Sequence, residues 1–258
     1  MQGQFIYFPR RYRPDDLEQA QAIGVEGVRF RTSQGNQTAF LYRNPDSGAE
    51  KRNIWLVFGG NGTVALDWLN FVADAADPRA AFLLVDYPGY GICDGNPTPQ
   101  SILENAEGAL EALVAKKHGK FRAEALCVFG HSLGGAAALQ FAARHRVQKI
   151  IAISTFTTMD AMVRAAIRIS LGQLLQHRFD NVKSLKAILS SKQVPDIFIF
   201  HGEADEIIPL EMGRALAQLD PSRIRFVAVP GAHHNDVIEK ALPLGLQSAL
   251  STARVVGM

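Results

Sequence analysis

The stretch Phe129-Gly130-His131-Ser132-Leu133-Gly134-Gly135 decides the fold of this chain. It joins an apolar run, Ala125 to Phe129, to an alanine-rich helical pattern, Leu133 to Arg144. A strand that turns abruptly into a helix forces the residue at the bend into a strained conformation. The residues two before and two after must then be very small for the two backbones to pass. Ser132 stands at that bend, between Gly130 and Gly134. Its hydroxyl is expected at the carboxyl edge of a sheet. The backbone N–H of Leu133 falls at a helix N-terminus, where the helix dipole favours a developing negative charge.

Outward from the bend, the strand-like runs repeat with a regular rhythm. Ile54 to Phe58, Ala81 to Val85, Ala125 to Phe129, Lys149 to Ile153, Asp196 to Phe200 and Arg223 to Val229 are apolar with little alternation, as strands covered on both faces are. Helical patterns over Val64 to Ala76, Pro99 to Lys117, Leu133 to Arg144, Leu210 to Leu219 and Asn235 to Ala253 alternate with them. Strand and helix in alternation predict βαβ units with helices on both sheet faces. Two alternating runs precede them, Gly27 to Thr32 and Gln37 to Tyr42, joined by Ser33-Gln34-Gly35-Asn36, which reads as a hairpin at an antiparallel edge. The predicted fold is α/β, one domain over residues 1–258 with a mostly parallel eight-stranded sheet. The forty or so residues between Ile153 and Asp196 exceed a simple crossover, so 154–193 is read as an inserted helical cap.

Bulk properties narrow the partners. With 258 residues, 47% hydrophobic and 20% charged, the chain can bury a full core. A net charge of +2 from 27 basic and 25 acidic residues spread along its length offers no footprint for nucleic acid. Cys93 and Cys127 read as free thiols rather than a disulfide framework. The first ten residues have neither the apolar core nor the cleavage site of a signal peptide, and no run is long and apolar enough for a membrane span. The expectation is a cytoplasmic chain, or a membrane-tethered or periplasmic one if an N-terminal segment was removed; oligomeric state is left open.

A serine hydroxyl is a weak nucleophile, so a histidine base and a carboxylate to orient it are sought downstream. The loop His201-Gly202-Glu203-Ala204-Asp205-Glu206 follows one strand, and Pro230-Gly231-Ala232-His233-His234-Asn235-Asp236 follows the last. Asp205 is favoured over Glu203 and Glu206 as the acid, and His234 over His233 as the base. Asp236 is read as a cap on the final helix. Gly59-Gly60-Asn61-Gly62 follows the first parallel strand, where the backbone N–H of Asn61 is assigned as the second oxyanion donor beside Leu133. It has neither a Walker lysine nor dinucleotide-loop spacing, which argues against a phosphate cradle. No metal is assigned, because the histidines lack ligand spacing, and no cofactor is expected.

Together with Asp86-Tyr87-Pro88-Gly89-Tyr90-Gly91, these motifs resemble the α/β-hydrolase superfamily, specifically its Bem46-like and ABHD depalmitoylase-like branch. The resemblance runs from about Val25 to near the C-terminus. It implies a Ser132, Asp205, His234 triad, because the histidine of the family's Gly-His-Asn-Asp-like run directly precedes Asn235. The branch usually has His-Gly-Asn where this chain has Gly59-Gly60-Asn61, and serine where it has Cys93.

The chemistry expected is hydrolysis of a small-molecule acyl ester or thioester through an acyl-enzyme. The alternatives are a serine peptidase of the same fold and a non-catalytic binding protein. Gly60, Tyr90, Met159 and Met162 are expected to line the substrate pocket. The apolar stripe of Met159, Met162, Val163, Ala166, Ile167, Ile169, Leu171, Leu174 and Leu175 suits either the roof of an acyl pocket or a seal onto the core. Arg164 and Arg168 lie on its opposite face.

Overall fold

A computed structural model describes residues 6–43, 53–75, 80–116, 126–167 and 176–251. Eight strands form one sheet: β1 (Glu26–Thr32), β2 (Gly35–Arg43), β3 (Ile54–Phe58), β4 (Ala81–Val85), β5 (Leu126–His131), β6 (Lys149–Ile153), β7 (Asp196–Gly202) and β8 (Ile224–Val229). Their spatial order is β1-β2-β4-β3-β5-β6-β7-β8. β2 runs antiparallel to both β1 and β4, and every pairing from β4 onward is parallel. This is the α/β-hydrolase fold, with the hairpin at the expected edge.

Alternate residues of each central strand enter two separate cores, which is why these strands lack a polar face. Leu56, Leu83, Val128, Ile150 and Ile197 face one core. Trp55, Phe82, Phe129, Ile151 and Phe200 face the other. The first core is covered by α3 (Pro99–Lys116), α4 (Leu133–Ala142), α6 (Asn181–Leu189) and α7 (Leu210–Ala217), through residues such as Leu103, Ala137, Leu185 and Leu216. The second is covered by α1 (Pro14–Ala22), α2 (Leu69–Ala75), α8 (Val237–Ala241) and α9 (Gln247–Ser251), through Ala20, Val72, Ala241 and Leu250.

Several elements depart from the sequence reading for local reasons. The helix expected from Val64 begins as a tight turn, Ala65–Trp68, because the Asp67 carboxylate accepts the Val64 N–H at 3.0 Å. The final helix divides into α8 and α9 at Pro243, which has no N–H to donate, and at Gly245, whose φ is 110°. Asp236 stands at the start of α8 but does not cap it: its carboxylate turns back to the His233 N–H at 2.7 Å and to Lys240 Nζ at 2.7 Å. Helix α1 was not anticipated, although Pro14 at its first position, followed by Asp15 and Asp16, is an N-terminal signature.

The long crossover after β6 carries α5 (Met159–Ile167) and α6. Asp180 caps α6, accepting the Lys183 N–H at 2.8 Å. Leu185 and Ile188 bury α6 into the first core, so this part of the expected cap belongs to the layer flanking the sheet. Met159 is 6% exposed and also lies in that core, with Met162 and Val163 packed against it. Ile169, Leu171, Leu174, Leu175 and Arg168 lie outside the described residues. No described helix is long and apolar enough to cross a membrane, and both cysteines are free and buried.

Candidate active site

Parallel strands in register deliver their following loops to one edge, and here four such loops meet. Phe58 pairs with Gly130, His131 with Ile153, Ile153 with Phe200, and Gly202 with Val229. Residues 59–61, 132, 203–205 and 231–234 therefore emerge side by side at the carboxyl ends of β3, β5, β7 and β8.

Ser132 has φ 58° and ψ −119°, a left-handed backbone that costs a non-glycine residue about 1–3 kcal/mol. The surroundings hold it there. Its N–H donates to Ile153 O at 2.8 Å, and its carbonyl accepts from the Gly135 N–H and the Thr155 hydroxyl, both at 3.0 Å. Asn181 braces Thr155 in turn, with Nδ2 3.3 Å from the Thr155 hydroxyl and 2.6 Å from Phe156 O. A Cβ on Gly130 would lie 2.1 Å from Gly134 O, and one on Gly134 would lie 2.1 Å from Phe58 O. Both clashes are with backbone, so Gly134→Ala is expected to cost more than about 3 kcal/mol. An unchanged urea midpoint for that variant would refute this account of the bend.

Asp205 and His234 form a buried pair. His234 Nδ1 lies 2.9 Å from Asp205 Oδ2 and 3.0 Å from Oδ1, and the two side chains are 5% and 0% exposed. Oδ1 also accepts the N–H groups of Ile207 at 3.0 Å and Ile208 at 2.8 Å. Burial opposes ionisation of Asp205, but the hydrogen bonds from His234 and Ile208 outweigh it and lower its pKa to about 2. The buried Ser154 hydroxyl lies beside this carboxylate and acts in the same direction without a well-formed hydrogen bond. Glu203 is exposed. Glu206 is exposed and reaches His233 Nδ1 at 3.1 Å and the His234 N–H at 3.3 Å. The acid and histidine loops are tied by Glu203 N–H to Val229 O and Ala204 N–H to Ala232 O, and a Cβ on Gly202 would lie 2.3 Å from Ala232 O.

Three residues contribute in ways the sequence reading missed. His131, between Gly130 and Ser132, has its ring 4.8 Å from that of His234 and donates through Nε2 to His234 O at 3.0 Å. This contact brings the serine bend and the histidine loop together; no hydrogen bond joins Ser132 to His234 among the described residues. His201 is fully buried, donates through Nε2 to Ile208 O at 2.8 Å and so ties down the acid loop. Ser154, at φ 44°, is the third. His131 and His201 both stood inside motifs, beside residues given other roles, whereas a serine following a strand carries no local signal.

Burial, reinforced by the charge of His234, lowers the pKa of His131 to about 4. The unfolded chain, with its ordinary histidine, therefore binds more protons between about pH 6.5 and 4, and stability falls as pH falls through that window, by about 3 kcal/mol. Asp205 does not contribute there: its stabilisation is present above its unfolded pKa near 3.8 and is lost only as pH falls toward 2. His131→Gln retains a donor toward His234 O, and urea unfolding at several pH values should show a shallower decline for it. An equally steep decline would remove His131 as the cause.

On the other side of Ser132, a Cβ on Gly60 would lie 3.7 Å from Ser132 Cβ and 3.1 Å from His131 Nδ1. The N–H groups of Asn61 and Leu133 donate to no protein acceptor among the described residues. Tyr90 is fully buried, with its hydroxyl 2.8 Å from Asn61 Oδ1, behind this loop. The described residues hold no cluster of three or more His, Cys, Asp or Glu able to bind a metal ion.

The fold and the arrangement of this edge define a class. The model of the alpha/beta hydrolase family matches residues 56–190, more than half of the chain, and the chain belongs to that family. Among its relatives, it is similar to alpha/beta hydrolase domain-containing protein 17B of Homo sapiens, 27% identical over 215 residues that span 83% of this chain and 70% of the other. It is also similar to the uncharacterized protein YfhR of Escherichia coli strain K12, 23% identical over 240 residues, 90% and 80% of the two chains. Among solved structures, an esterase of Pyrococcus furiosus matches with a TM-score of 0.68 at 13% identity over 95% of each chain. An alpha-beta hydrolase of Vibrio vulnificus matches with a TM-score of 0.69 at 17% identity, over 91% of this chain and 84% of that one. At these identities the structural likeness is one of fold.

Proposed function

We propose that this protein is a serine hydrolase that cleaves a small carboxylic ester or thioester through an acyl-enzyme. The observation that carries this reading is the buried His234–Asp205 pair packed against the strained bend at Ser132. In the first step Ser132 Oγ attacks the substrate carbonyl carbon while His234 Nε2 takes the hydroxyl proton. Asp205, ionised throughout, holds the Nδ1 proton and stabilises the imidazolium. The N–H groups of Asn61 and Leu133 receive the oxyanion. His234 returns its proton to the departing alcohol or thiol as the carbonyl re-forms. Water, activated by the same imidazole, then displaces the acyl group from Ser132.

In this reading the described residues 154–167, with Met159 and Met162 packed into the first core, carry the wall for the acyl group, and Gly60 lies on the loop beside Ser132. Tyr90 acts from behind through Asn61. The deciding experiment is reaction with a fluorophosphonate followed by peptide mass spectrometry. Capture at Ser132 is the expected result. A folded protein that stays unlabelled, and inert toward p-nitrophenyl esters of every acyl length, would favour a binding role instead.

A further inference from the structure

We propose that the Asn61 side chain is a positioning anchor for the oxyanion-binding N–H, held in place by the N-terminal segment at Ile6 and Phe8 and by the Tyr90 hydroxyl. The inference rests on the serine hydrolase reading and adds to it Ile6 and Phe8, which lie outside the motifs of the site. A backbone donor in the loop after β3 has no sheet or helix hydrogen bond to orient it. This loop is also unusually free, with Gly59 and Gly60 before Asn61 and Gly62, at φ 78°, after it. Glycine adds backbone entropy where a preorganised donor needs the opposite. Within the loop, Gly60 O accepts the Thr63 N–H at 3.3 Å and the Thr63 hydroxyl at 2.9 Å, and the Asn61 side chain adds ties from outside it.

The ties are all visible. Asn61 Oδ1 accepts from the Phe8 N–H at 2.9 Å and from the Tyr90 hydroxyl at 2.8 Å, and Nδ2 donates to Ile6 O at 2.6 Å. The Phe8 N–H also approaches the Tyr90 hydroxyl oxygen at 3.1 Å, closing the cluster. Tyr87 packs edge-on to Tyr90 with ring centroids 5.4 Å apart, and its hydroxyl donates to Gly59 O at 2.5 Å. Asn61 is thus grasped through its side chain by the N-terminal segment around Ile6 and Phe8, the strap, and by Tyr90. Its preceding residue, Gly60, lies against His131 and Ser132. The strap is itself held down beyond Phe8: Arg10 pairs with Asp67, Arg11 Nη1 donates to Gly91 O and Cys93 O, and the Tyr12 hydroxyl donates to Asp86. An asparagine at this place does what glycine or alanine cannot: it converts a loop residue with a free N–H into one fixed at three points.

Ester hydrolysis and inhibition by an aryl boronic acid, which mimics the tetrahedral oxyanion, are to be measured on the whole chain for four variants: Asn61→Ala, Tyr90→Phe, the double variant and Ser132→Ala. Asn61→Ala keeps the backbone N–H and removes only the anchor. Its kcat should fall about 10- to 100-fold, the range set by misplacing rather than deleting a donor, with KM changed less than about twofold. The boronate inhibition constant should rise by the same factor as kcat/KM falls. Tyr90→Phe should show a smaller loss of the same kind, and the double variant should be no worse than Asn61→Ala, because the Tyr90 hydroxyl reaches Asn61 only through the side chain that the alanine already removes. Tyr90→Phe removes a single oxygen from the core and carries the measurement if Asn61→Ala fails to fold. A kcat within about twofold of native in both single variants, with turnover abolished in Ser132→Ala, overturns the anchor and leaves the serine mechanism standing. Turnover that survives Ser132→Ala overturns the mechanism, and the anchor with it.

Discussion

Ser132→Ala is expected to lower kcat by on the order of 10⁴- to 10⁶-fold with little change in KM or in the unfolding midpoint. The size follows from the proposed role: the alanine removes the atom that would form the new bond, while substrate contacts made before the chemical step remain. The fold should tolerate it, because Ser132 is held in its strained backbone by its own N–H and C=O, bonded to Ile153, Gly135 and Thr155, and not by its hydroxyl. Stopped-assay kinetics with p-nitrophenyl esters, paired with urea unfolding of the same preparations, separate the two effects. Activity within about tenfold of native in a folded Ser132→Ala protein would mean that another group attacks the substrate.

Asp205→Asn is expected to cost about 10⁴-fold in kcat, again with the fold retained. The argument is one of tautomers. Asp205 Oδ1 accepts the N–H groups of Ile207 and Ile208, and an asparagine oxygen in its place would keep those bonds. That choice turns the asparagine NH2 toward His234 Nδ1, which must then accept rather than donate. The imidazole proton moves to Nε2, the nitrogen that takes the Ser132 proton in the proposed mechanism. Glu206→Gln provides the contrast: its exposed carboxylate touches His233 and the His234 N–H from solvent, so its loss should change turnover little. A large loss in Glu206→Gln together with near-native activity in Asp205→Asn would transfer the acid role to Glu206.

Much of this was legible before any coordinates. The eight strands and the bend at Ser132 follow from patterns only a few residues long: unbroken apolar runs, glycines two before and two after a serine, and a hairpin turn. Such patterns are local consequences of sheet burial and backbone sterics, and short-range chemistry writes them directly into sequence. The misreadings were also local but turned on competition. Asp236 sits where a helix cap belongs, yet the His233 N–H and Lys240 took its carboxylate. The last helical pattern ran through Pro243 and Gly245, and the backbone broke there.

By itself, then, the sequence determined the layer architecture, the strained serine and the two loops able to present an acid and a base, because strand, helix and turn preferences act between near neighbours. Only the tertiary structure decided which neighbours those side chains meet. It set His131 against the His234 ring, buried α6 in the sheet layer and tied Asn61 to Ile6 and Phe8, more than fifty residues away. Those outcomes depend on burial and on the saturation of hydrogen bonds between distant segments. Nothing in the spacing of residues along a chain encodes which distant donor will find which acceptor once both have left water.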